Sequence, residues 1–104
     1  MEPLSERLRL SLEDLASDMA HARRSEQLGR LALLCYCEVR PWARSADEPR
    51  LADKAGALTT RSVPGSRTAF LGRIDALIIE LEGACVRAGL EEEAAALMLA
   101  RAAG

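Results

Sequence analysis

A chain of 104 residues with a formal net charge of −2 has room for one domain, and a domain of this size buries only about two thirds of the surface its unfolded form exposes. Phe70, Tyr36 and Trp42 are its only aromatics, so packing must come from Leu, Ile and Ala, and domains with modest cores often recover burial by oligomerising. The N-terminal MEPLSERLRL carries acids where a secretory signal needs a basic region and an apolar run, and no apolar stretch reaches the ~20 residues of a bilayer span. Three cysteines fit reduced thiols better than a disulfide framework, so the expectation is a cytoplasmic protein.

Charge is uneven along the chain. Residues 1–20 hold two Arg against five acids, residues 21–73 ten basic against five acidic, and residues 74–104 two Arg against six acids. Two readings follow for the basic middle: a solvated surface that attracts the acidic ends, or a basic rim that recognises an acidic partner.

In chain order, Pro3, Ser5 and Glu6 open a helix in which Leu4, Leu8, Leu12, Leu15, Met19 and Ala22 recur at three-to-four spacing, with Leu10 on the wrong side. From Leu28 the apolar phase shifts by roughly 200°, so either the chain turns within HARRSEQ with Ser25 as an N-cap, or one long helix offers its halves to different neighbours. LALLCYC, residues 31–37, is apolar all round, which places this segment at the centre of a bundle or between the core and another chain. Arg40 and Pro41 are expected to stop the helix, leaving Trp42 at its exit to cap a core or anchor an interface. The spare side of this segment, Leu33, Tyr36 and Cys37 with Trp42, is the candidate partner-binding patch.

A short helix is expected from Asp47, Glu48 and Pro49 through Leu51, Ala55 and Leu58, followed by a turn-rich TTRSVPG loop. The stretch 66–88, capped by Ser66 or Thr68, reads as a long helix with two apolar sides. Phe70, Ile74, Leu77, Leu81, Ala84, Cys85 and Ala88 form a core stripe; Gly72, Ala76, Ile79, Gly83 and Val86 form a second stripe suited to a close helix, either internal or in a second copy of the chain. The second reading makes the protein a homodimer. Gly89 ends this helix, and Leu90 with three glutamates starts a final one that frays from Ala102. The whole is expected to be all-α, a bundle of about four helices plus one short helical turn, in a single interaction domain.

Other chemistries fit poorly. Cys35 and Cys37 lie about 200° apart on a helix and cannot share a metal with His21 and the third thiol without unwinding it. One His, no nucleophile arrangement and no phosphate loop argue against an enzyme, and no cofactor is implied. The outline of a helix-turn-helix around Gly89 would point three glutamates at DNA, which argues against direct nucleic-acid binding.

A small, acidic, helical chain with LGRLALLCYCEVRPW as its most apolar surface candidate, and no catalytic or DNA-reading element, resembles the QslA-like small anti-activators of LuxR-type quorum-sensing regulators. The resemblance implies capture of a transcription activator through its ligand-binding domain, blocking its dimerisation or DNA binding. No residue role is carried over from it. Beside this reading stand a chaperone-like module that shields an amphipathic helix of a client and a thiol sensor using Cys35 or Cys37.

Overall fold

The computed structural model describes residues 4–59 and 65–102, which exclude Pro3 and most of the TTRSVPG loop. Among them every regular element is helical: α1 (Glu6–Arg24), α2 (Leu28–Leu34) running through a π turn (Cys35–Val39) into α3 (Arg40–Ser45), α4 (Pro49–Thr59), α5 (Arg67–Arg87) and α6 (Glu91–Ala102). The expected all-α bundle is therefore what the chain forms, with α4 as the short additional helix. None of these helices is long and apolar enough to cross a membrane.

Helix starts follow local chemistry. The Ser5 hydroxyl accepts the Leu8 amide at 3.2 Å and opens α1, and the Ser66 hydroxyl accepts the Ala69 amide at 3.0 Å and opens α5, so Ser66 rather than Thr68 is the cap. Behind these caps Leu12, Leu15 and Met19 of α1 meet Ile74, Leu77, Ile78 and Leu81 of α5 and Leu97 of α6 in one buried cluster. Removing a fully buried leucine such as Leu77 from it would cost about 3–5 kcal/mol.

Three helix ends share one turn. After α1, Glu26 adopts φ 49° while the Gln27 amide donates back to Ala22 O at 3.0 Å. After α3, Asp47 adopts φ 57° and the Glu48 amide reaches Ala43 O at 2.8 Å; after α5, Gly89 adopts φ 79° and the Leu90 amide reaches Cys85 O at 2.8 Å. Each is a Schellman closure with a left-handed residue just past the helix. The chain thus turns within HARRSEQ, but Ser25 closes α1 instead of capping α2, whose N-cap position is Gln27.

The stop expected at Arg40–Pro41 does not occur. Arg40 keeps helical angles, φ −61° and ψ −50°, and its amide donates to Cys35 O, the five-residue spacing of a π turn. A proline inside an α-helix lacks the amide that its i−4 carbonyl expects, and its ring collides there. One extra residue in the preceding turn opens that space, so residues 28–45 form one continuous rod with Pro41 in the first turn of α3.

Candidate functional site

The continuous helical rod divides its apolar residues between two sides. Leu31, Leu34, Cys35 and Val39 are buried, whereas Leu33 is 64 % exposed, Tyr36 54 % exposed, and Cys37 exposed beside them. Helix spacing of three and four residues makes Leu33, Tyr36 and Cys37 surface neighbours. One turn earlier the surface is open, since a Cβ added at Gly29 would meet nothing within 4 Å. The three residues assigned to the patch on α2 and the π turn are therefore together on the outside.

Trp42 is not with them, and its assignment to the patch is corrected here. Because the rod continues past Pro41, Trp42 is carried to the inner side, where it is 6 % exposed and its indole Nε1 donates to Leu8 O at 2.9 Å. It ties α3 to α1 and belongs to the core. Its remaining edge borders an open cleft of about 610 Å³ walled by Arg7, Ser11, Glu38, Pro41 and Ser45.

Electrostatic contacts explain much of the uneven charge. Arg23, 4 % exposed, forks onto Asp75 at 2.7 and 3.2 Å, clamping α1 to α5, and this hydrogen-bonded pairing pushes the Arg23 guanidinium pKa up. Arg87 reaches Glu48 at 2.6 Å, Arg101 forks onto Glu82, Arg67 pairs with Glu26, and Arg9 Nε donates to Ala88 O at 3.1 Å at the end of α5. Attraction between the basic middle and the acidic C-terminal end is thus realised by Arg23–Asp75 and, at 3.9 Å, by Arg50–Glu80, while Arg87–Glu48 joins the same two segments with the charges reversed. Arg30, Arg40 and Arg44, part of the basic middle read from the sequence either as solvated surface or as a rim for an acidic partner, lie along the rod. Arg30 lies three residues before Leu33, and Arg40 and Arg44 follow Tyr36 beyond the π turn.

On α5, Ile79 is 50 % and Val86 57 % exposed, Gly72 is exposed, and Ala76 and Gly83 are half-buried. A Cβ at Gly72 would meet nothing within 4 Å, while one at Gly83 would lie 3.2 Å from the Arg87 guanidinium. The stripe therefore lies outside the helix packing of the described residues, which removes the internal-helix reading for it. It also identifies Gly72 as the better probe, because enlarging Gly83 would disturb Arg87.

The thiols separate by position. Cys35 and Cys85 are buried, and burial pushes each pKa up to about 12, for Cys85 with added repulsion from Glu93 and Glu82. Cys35 is accordingly a protonated, enclosed thiol and leaves the sensor reading; Cys37 is exposed. Comparison of the chain with protein-family models, with curated proteins and with solved structures finds no match.

Proposed function

We propose that this chain is a small helical interaction protein that binds and inhibits another protein, with Leu33, Tyr36 and Cys37 as the docking face. The observation that carries the reading is the side-by-side exposure of Leu33 and Tyr36 on a helix whose opposite side is already committed to the core. Two large apolar residues adjacent on one surface, one of them Tyr, are the kind of anchor that tends to dominate interface energy once covered. The resemblance to the LuxR-type anti-activators supplies the class of partner: a transcriptional regulator sequestered through its ligand-binding domain.

The test is a gel-shift competition. A LuxR-type regulator bound to its operator DNA is titrated with the purified chain and with its Leu33→Asp variant. Release by the parent chain and not by the variant supports the reading; a regulator that stays on DNA with both removes that partner class.

Exposed Ile79 and Val86, about two and four turns along the same side of α5 from Gly72, further support a homodimer through the outer face of α5. Light scattering at tens of micromolar should return the mass of two chains, and a stable monomer at that concentration would contradict the dimer.

A further inference from the structure

Whether an arginine is used by the fold depends on where it sits. Arg9, Arg23, Arg67, Arg87 and Arg101 each hold an oxygen of another element, and Arg50 lies 3.9 Å from Glu80. Among the described residues Arg30, Arg40 and Arg44 have no such carboxylate partner. Arg7 and Arg24 on α1 lack one as well, so the signal is the conjunction: three uncommitted guanidiniums on the same rod as the exposed apolar trio.

They bracket it along the rod, Arg30 before it and Arg40 and Arg44 after it. Arg30 precedes Leu33 by three residues on α2, and Arg40 and Arg44, four apart on α3, follow Tyr36 beyond the π turn. Arg40 is half-buried beside α4, its Nε 3.7 Å from where a Gly56 Cβ would stand, which limits the freedom it would otherwise lose on pairing. The rod's one acid, Glu38, lines the cleft on the α1 side.

We propose that the occupant of this face is an acidic amphipathic helix of the regulatory partner. Its apolar stripe seats on Leu33, Tyr36 and Cys37, and its flanking carboxylates meet Arg30, Arg40 and Arg44. This rests on the docking reading above and gives the partner's segment a chemistry. A second copy of the same face is disfavoured, because a two-fold pairing would bring these arginines against one another. A phosphate backbone would satisfy the guanidiniums and leave the apolar trio uncovered. The array from Arg30 to Arg44 spans about 21 Å of helix, roughly four turns, so a partner helix of that length seats apolar anchors at i, i+3, i+4 and i+7, about two turns, with room for flanking carboxylates beyond them.

The experiment uses the full chain and two labelled synthetic helical peptides of about 16 residues, a length set by those four turns. Both carry the same leucine stripe, one flanked by glutamates and the other by lysines, and binding is read by fluorescence anisotropy. The acidic peptide is expected to bind at least about 10-fold more tightly, with the gap narrowing as salt rises. Joint Arg40→Glu and Arg44→Glu should reverse the preference; exposed Arg30→Glu alone should shrink it, and circular dichroism checks the fold of both variants. Tyr36→Ala should weaken both peptides. Equal binding, or preference for the lysine peptide, with loss on Tyr36→Ala overturns the acidic partner and leaves the docking face standing. Binding of neither peptide, or binding indifferent to Tyr36→Ala, overturns the docking face as well.

Discussion

The rod formed by residues 28–45 and the long helix α5 both carry apolar residues on two sides, and in each the fold covers one side and leaves the other outside. They differ in what is left out. The rod leaves a leucine, a tyrosine and a thiol with uncommitted arginines alongside, whereas α5 leaves small residues and two β-branched ones with Arg87 and Glu80 on its edge already engaged by Glu48 and Arg50. Large side chains with free charge suit a partner that brings its own pockets and counter-charges. Small side chains with a satisfied rim suit the close approach of another helix. The same amphipathic doubling therefore points to two kinds of contact, and substitutions can separate them.

The largest expected effect lies between the inner and outer sides of the rod. Trp42→Ala removes a buried ring and its hydrogen bond to Leu8 O and should lower unfolding free energy by about 3–5 kcal/mol in a urea titration. Tyr36→Ala, on the outer side, should change it by no more than about 0.5 kcal/mol. Equal losses at the two positions would merge the two sides into one core.

Next is the outer face of α5. Gly72→Leu adds bulk where the chain itself offers open space, so the helical fold should persist while the proposed dimer is lost, read by sedimentation at tens of micromolar. Loss of helicity instead would mean that an internal element covers the face.

A third expectation concerns the thiols of the two regions. Because burial raises Cys35 and Cys85 from about 9 to about 12, their neutral forms contribute stability that is complete below about pH 9 and lost as pH rises toward about 12. In the native protein a thiol reagent at pH 8 should therefore modify Cys37 and spare the other two. Rapid modification of Cys35 would contradict its place on the inner side of the rod.

The smallest effect is at a turn. Asp47 holds a left-handed conformation that glycine adopts freely, so Asp47→Gly should stabilise by about 0.5–1 kcal/mol, read as a rise of a few degrees in Tm.

These same features explain what was legible in the sequence. The long amphipathic repeats of α1 and α5, and the glycine that closes α5, are local signals with a fixed period, and they located those helices and the core stripe. The closures at Glu26 and Asp47 use the geometry of Gly89 without a glycine, so no residue type announced them. Pro41 misled because a π turn absorbs it, and Trp42 because its partner is a carbonyl 34 residues away. The basic middle that holds Arg30, Arg40 and Arg44 was legible as composition, but that these three lack a carboxylate partner emerges only once the partners of the other arginines are known, which is a property of the folded chain. Cys37, Leu33 and Tyr36 were separable from Cys35 and Leu34 by phase alone.

The central claim is that the outer side of the rod exists for a partner and the inner side for the fold. The most direct test titrates a LuxR-type regulator, by isothermal calorimetry, with the parent chain and with Tyr36→Ala, alongside urea unfolding of both. The account predicts that Kd rises about 30-fold, equivalent to about 2 kcal/mol, while the urea midpoint stays in place. An unchanged Kd, or a midpoint that falls together with the affinity, would contradict it.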